Sequence, residues 1–439
     1  MLILFVLAVL CAAGCARETV GPKVLFVGVD GASWKVIGPL IEKGELPAFR
    51  RLVEEGASKP DFETLTVTLS PVIWTTIATG RTPEDHGVTS FTSQLPNGQV
   101  IPVTSSVRKA RAIWELASRR GASVGVIGWW ASWPAEEVSG YVVSDHANPA
   151  FSELLTADKH YWTADTATLA RLKRDFLPLD IAPVLARHWI SREQFPWDDL
   201  QRRGGFTPTQ MKQLRAAPWN DRNVYSWLKT FYRVDLPLLR IGLDLGRERP
   251  TDLQMLYLRG PDPVQHYGWD LYEPEKFARK PPNLERDRGL IEGVYRYVDT
   301  FLSEVLEARR DDSWLIVASD HGAEPSPYAQ DPAYEGRPGE HGPQARGVLF
   351  ILGPHVKTGT VLPRGTPYDV MPTLAWLTGL PVADDLPGKP LTEAFDESFV
   401  RDHPIRRVPT YGPRPIGPLL PSPSDAEMLK SLKNLGYIQ

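Results

Sequence analysis

Lys23-Val24-Leu25-Phe26-Val27-Gly28-Val29-Asp30-Gly31 (23–31) is a short, apolar, β-branched run that stops at a carboxylate and a glycine. A run without polar alternation reads as a strand buried on both faces, as in a mostly parallel sheet. Outward from it the same pattern recurs at Ser123–Gly128, Thr251–Leu258, Ser313–Ser319 and Gly347–Leu352. Helical segments fall between these runs. Ser33 is placed to cap one as far as Lys43, Pro47 opens another to Glu55, and Ala112–Arg119 and Glu285–Arg309 follow. Strands alternating with helices predict an α/β sandwich. Asp30, Asp262 and Asp320 each fall just past the C-terminal end of an expected strand. In open parallel sheets that rim is where ligands bind.

Three separated motifs carry acid and imidazole groups on or near this rim: Gly-Pro-Asp-Pro-Val-Gln-His (260–266), Ser-Asp-His-Gly (319–322) and Gly-Glu-His-Gly (339–342). Asp262 and His266 are four apart, with Pro263 suited to a first helical turn, so one turn brings both side chains to one face. Asp320 and His321 are adjacent and would diverge on a strand, so they are expected in the loop after it. His341 lies in a Gly/Pro-rich loop. Nitrogen and oxygen ligands of this kind suit divalent cations, and two such cations can clamp an in-line displacement at phosphorus. A nucleophile would complete the set. Ser70 begins Ser-Pro-Val-Ile-Trp-Thr-Thr-Ile-Ala-Thr-Gly (70–80), at a helix N-terminus. Read alone, it either caps that helix or attacks an ester.

The bulk composition is that of an ordinary globular chain. It has 439 residues, more than one usual core, with 42% hydrophobic and 23% charged residues. The net charge is −4 with no basic run, which disfavours nucleic-acid binding. Leu2–Leu10 is apolar but short for a membrane span, and leads into Ala12-Ala13-Gly14-Cys15. Small residues before a cysteine resemble a bacterial lipoprotein signal, with Cys15 as the lipidated residue; a cleaved secretory signal or an uncleaved anchor are the alternatives. The only cysteines are Cys11 and Cys15. The rest of the chain therefore has no disulfide, thiolate metal site or cysteine nucleophile.

Together the motifs resemble the alkaline phosphatase superfamily, and within it the type I phosphodiesterase/nucleotide pyrophosphatase branch and its bacterial phosphohydrolase relatives. The resemblance covers roughly residues 23–146 and 251–395, including Thr79-Gly80-Arg81-Thr82-Pro83-Glu84-Asp85-His86-Gly87 and Asp369-Val370-Met371-Pro372-Thr373-Leu374. It implies an alkaline-phosphatase-like α/β/α sandwich with two zinc ions, manganese being the alternative. One ion would be held by Asp262, His266 and His341, the other by Asp30, Asp320, His321 and the nucleophile. Ten residues before Gly80, the family's spacing points to Ser70, with Thr68 and Thr66 as fallbacks. It also implies a phosphoseryl intermediate. Two departures bear on the substrate. Val88–Thr92, shortly after the His86-Gly87 step, holds no asparagine where nucleotide pyrophosphatases carry one, and Pro71 directly after Ser70 breaks the sulfatase pattern.

The expected organisation is a signal (1–15), a first catalytic part (16–146), a mainly helical cap (147–250), a second catalytic part (251–400) and a C-terminal strap ending in a short helix at Ser424–Leu435 (401–439). The expected function is an exported phosphoesterase, a phosphodiesterase before a phosphomonoesterase, acting on a phosphate ester such as a lipid headgroup or nucleotide. It would be held through Cys15 at the periplasmic face of the outer membrane. A phosphoethanolamine-type transferase and a non-catalytic metal-binding lipoprotein are the rivals. Trp129, Trp130 and Trp133 could bind glycans or simply pack, and His86, His146 and His355 are expected to be structural.

Overall fold

The computed structural model describes residues 23–147, 182–188, 190–419, 421–422 and 424–438. Runs of apolar residues without polar alternation become the middle of one sheet. Val24–Val29, Leu253–Leu258 and Gly347–Leu352 are buried at every position. Eight strands line up in the order Thr360–Val361, Ala57–Phe62, Gly347–Leu352, Trp314–Ala318, Val24–Val29, Leu253–Leu258, Val124–Ile127, Gly140–Val143. Only Gly347–Leu352 runs against its neighbours; the other pairings are parallel.

The central strand shows why this is a sandwich. Leu25, Val27 and Val29 enter one core, with Leu40, Phe49, Val294 and Phe301 from helices. Val24 and Phe26 enter the other, with Ile73, Ile77, Trp114 and Leu374. The two-residue period of the strand thus feeds two helical layers. Gly28 faces the second layer, and a Cβ there would lie 2.7 Å from the Trp74 ring. The missing side chain is the space that Trp74 fills. Trp74, Trp129 and Tyr257 then pack edge to face, with centroids 5.2–6.2 Å apart.

Ser33 caps Trp34–Glu42, and Pro47–Glu55 and Asp425–Leu435 form as read from the sequence. Three differences have physical causes. The expected helix 285–309 breaks at Arg288 and Gly289 into Leu284–Asp287 and Leu290–Ala308, because Gly289 takes a left-handed φ of 87° that no right-handed helix contains. A helix expected over Asn220–Arg233 instead spans Val224–Glu248, through Pro237. Its apolar face packs against the Leu253–Leu258 and Val124–Ile127 strands, and tertiary burial outweighs the local break. This helix therefore forms part of the layer covering the sheet. The strand Ala57–Phe62 carries little apolar pattern, and the apolar run of Gly140–Val143 (Tyr-Val-Val) is too short to stand out. The first contains Pro60 at a shift in register against Gly347–Leu352. The helix expected at Thr166–Phe176 and the segment containing Cys15 lie outside the described residues.

Gly28→Ala is expected to force the Trp74 ring aside and to cost about 1–3 kcal/mol of stability in urea unfolding. Unchanged stability would mean that Trp74 moves freely and that this packing fixes nothing.

Candidate active site

The three central parallel strands end side by side, and each delivers a carboxylate. Asp30 follows Val24–Val29, Asp262 opens the helix Asp262–Tyr272 shortly after Leu253–Leu258, and Asp320 and His321 follow Trp314–Ala318. His266 lies one turn along the same helix, and His341 follows the short strand Gly339–Glu340, which pairs with Glu324–Pro325. Ser70 is the first residue of the helix Ser70–Thr79. Gly31 makes the meeting of loops fit. It has φ 71°, and a Cβ on it would lie 2.6 Å from that of Asp262.

All seven residues expected at the metals come together. The ligand atoms of Asp30, Asp320 and His321 lie within 4.8 Å of one another, and so do those of Asp262, His321 and His341. His266 Nε2 lies 3.4 Å from Asp262 Oδ1, and His341 Nε2 lies 3.7 Å from the same oxygen. His321 Nε2 is 3.5 Å from Asp30 Oδ1 and 3.4 Å from Asp320 Oδ2. His321 thus stands between the two groups, its ring stacked on His341 at 3.8 Å.

Each carboxylate has one oxygen held by the protein and one turned inward. Asp30 Oδ2 accepts from Trp74 Nε1 at 3.1 Å and from the Tyr257 hydroxyl, while Oδ1 faces Ser70 Oγ at 3.4 Å. Asp262 Oδ2 accepts from the Tyr437 hydroxyl. Asp320 Oδ1 accepts from the Gly31 N–H at 3.3 Å. Two imidazoles are anchored from behind: His266 Nδ1 is 2.7 Å from the Gly339 carbonyl and His321 Nδ1 is 2.9 Å from that of Gly322. Their Nε2 atoms and Asp320 Oδ2 are buried and make no hydrogen bond. Neighbouring ligands about 2.0–2.1 Å from a tetrahedral zinc sit about 3.3–3.4 Å apart. The inward atoms of the four acid–imidazole pairs lie 3.4–3.7 Å apart, close to that spacing, so the residues present fit a divalent cation.

Electrostatics point the same way. Burial, reinforced by Asp262, pushes the Asp30 carboxyl up to about 6. Burial also raises Asp262, and it raises Asp320 well above the usual range, with Asp30 and Asp262 adding to it. Burial holds His266 down to about 3 and His341 well below its ordinary value. Neutral imidazoles are the ligating form, and crowded carboxylates are relieved by a cation.

Ser70 is buried and shares a small cavity with Asp30, Asp262, Tyr257, Arg259 and Tyr437. Thr68 is turned elsewhere, donating to the His341 carbonyl at 2.9 Å, and Thr66 is exposed. His86 bonds Thr76 at 3.0 Å, His146 stacks on Trp133 at 4.6 Å and His355 pairs with Asp396 at 3.0 Å, so none of them joins the cluster. Trp129 and Trp133 are fully buried and Trp130 donates to Tyr257, so all three pack. The supporting residues Trp74, Tyr257 and Tyr437 were not read from the sequence. Trp74, one turn beyond Ser70 on the same helix, had a signal in its spacing. Tyr437 had none.

The type I phosphodiesterase / nucleotide pyrophosphatase family model matches residues 24–336, a span that includes Asp30, Ser70, Asp262, His266, Asp320 and His321 but not His341 or Tyr437. No curated protein matches the chain in sequence. Among solved structures it is similar to murine ectonucleotide pyrophosphatase / phosphodiesterase 5, both alone and as an inactive form in complex with AMP. Both show 14% identity and a TM-score of 0.47, covering 87% of this chain and 99% of that one. The human protein of the same name gives 13% identity, a TM-score of 0.47 and the same coverage. With the family model covering 313 of 439 residues (336 − 24 + 1 = 313), the chain belongs to the type I phosphodiesterase / nucleotide pyrophosphatase family, a branch of the alkaline phosphatase superfamily.

Proposed function

We propose that the chain is an exported, zinc-dependent phosphodiesterase with Ser70 as its nucleophile. The observation that carries this reading is the convergence of Asp30, Asp262, Asp320, His266, His321 and His341 around a buried serine hydroxyl, with His266 Nε2, His321 Nε2 and Asp320 Oδ2 buried and hydrogen-bonded to nothing. Asp30, Asp320, His321 and Ser70 would hold one zinc and Asp262, His266 and His341 the other, with manganese as the alternative. Bound there, the two ions supply the positive charge that stabilises the attacking alkoxide and the departing oxygen.

The protein's own part follows from the geometry. Ser70 Oγ attacks phosphorus, a new O–P bond forms, and the ester oxygen opposite it leaves with its alcohol. Water then cleaves the phosphoserine and restores the hydroxyl, so two in-line displacements retain configuration at phosphorus. Asp30 sits beside Ser70 Oγ and fixes its direction through the Trp74 and Tyr257 bonds behind it. The surrounding Trp130, Phe231, Leu432 and Leu435 keep bulk water from the cavity. The substrate class is a phosphodiester of the cell envelope, a lipid headgroup before a nucleotide. That preference rests on the missing asparagine after Gly87 and on the lipoprotein-like segment at Cys15. Among the described residues no helix is long and apolar enough to cross a membrane. Attachment, on this reading, would come through Cys15.

Ser70→Ala is expected to lower kcat/KM on bis-p-nitrophenyl phosphate about a thousandfold or more, with the zinc held by Asp262, His266 and His341 retained. Retained turnover would move the nucleophile to Thr68. Removing metal with a chelator is expected to abolish turnover, and added zinc to restore it. Activity that survived complete removal of metal would end the metal reading. Cys15→Ser is expected to prevent incorporation of labelled fatty acid and to release the protein from membranes; a variant still labelled would disprove anchoring at Cys15.

A further inference from the structure

The two carboxylates nearest Ser70 are braced in the same way by residues from unrelated parts of the chain. Behind Asp30 stands the Tyr257 hydroxyl, from the adjacent central strand. Behind Asp262 stands the Tyr437 hydroxyl, 175 residues away in sequence. With Oδ2 occupied by that hydroxyl, Asp262 turns only Oδ1 toward His266 and His341. We propose that Tyr437 is a positioning residue of the metal centre, fixing Asp262 as a one-oxygen ligand, and that residues 424–438 form part of the active site. The proposal rests on the metal reading above.

The docking of this segment is specific. The helix Asp425–Leu435 ends at Gly436, whose φ of 76° reverses the chain. The N–H groups of Gly436 and Tyr437 return to the carbonyls of Lys433 and Leu432 at 3.0 and 2.9 Å. That reversal aims Tyr437 at the cluster. Around it the backbone is held by side chains of the catalytic halves: Arg337 Nη1 donates to the Leu435 carbonyl at 2.9 Å, and the Tyr267 hydroxyl to that of Asn434 at 2.7 Å. Leu432 and Leu435 are buried beneath. The ring is fixed as well as the hydroxyl. It stacks on Phe91 at 4.6 Å and 8°, and meets His266 edge to face at 5.4 Å. A tyrosine serving only to cover the site would not need its hydroxyl on a ligand oxygen. Gly436 and Arg337 also line an open groove of about 650 Å³, while Tyr437, Leu432 and Leu435 line the cavity at Ser70. The segment is the wall between the two.

Metal-free protein is the material for the test, with wild type, Tyr437→Phe, Tyr257→Phe and Phe91→Leu compared. Zinc affinity at each site is measured by competition with a chromophoric chelator, beside Tm and kcat/KM. Tyr437→Phe keeps the ring stack, so its metal-free Tm should match wild type. One zinc should bind about 10–100-fold more weakly, the usual consequence of losing a group that orients a ligand, and the other should be unchanged. Tyr257→Phe should weaken the opposite site. Both zinc affinities within twofold of wild type in Tyr437→Phe would overturn the proposal and leave the metal reading intact. An equal loss in Phe91→Leu would assign the effect to packing and overturn the role of the hydroxyl. Wild type that bound no zinc would overturn the metal reading and this proposal together.

Discussion

Three carboxylates, Asp30, Asp262 and Asp320, are buried in one cluster, and two of its imidazoles, His266 and His341, are held neutral by burial. Unbalanced charge of this kind is costly in a protein interior unless a cation or protons neutralise it. The rest of the architecture is arranged to tolerate it. Three parallel strands carry the acids to one rim, and backbone carbonyls behind His266 and His321 turn their free nitrogens inward. Two tyrosines, a tryptophan and one backbone N–H each take an outer oxygen. The cluster is therefore stiff before any ion arrives, and stiffness of this kind distinguishes a metal centre from a chance meeting of acids.

The packing beneath the rim has the same purpose. Trp74 is both a core residue and a donor to Asp30, and it reaches that position because Gly28 leaves the space open. Tyr257 combines the two roles in the same way, buried against Trp74 and Trp129 while its hydroxyl meets Asp30. Core and site are thus not separable here: a change in volume beneath the sheet rotates the groups that hold the carboxylate.

Much of this was legible in the sequence, for reasons that mark the limit. The central strands are continuous apolar runs, and a carboxylate or Asp-His pair at the end of each is placed by topology alone, so Asp30, Asp262, Asp320 and His321 could be set on one rim from spacing. Ala57–Phe62 was not legible because its pairing, rather than its composition, makes it a strand, and Gly140–Val143 because its apolar run is so short. The Val224–Glu248 helix ran past its expected end because burial against the sheet outweighs local preference. The position of His321 between the two groups depends on ring rotation, which spacing does not encode. Tyr257 and Tyr437 act through single hydroxyls, and nothing in the residues around them distinguishes such a tyrosine from one that only packs.

The route by which Tyr437 reaches Asp262 affects the order of events in the life of the chain. From Asp30 to Tyr437 the centre draws on parts 407 positions apart (437 − 30 = 407). A nascent chain would hold the acids on their strands without the brace on Asp262. Such a chain would be a poorer competitor for scarce ions than the finished one. Loading would then favour the completed chain.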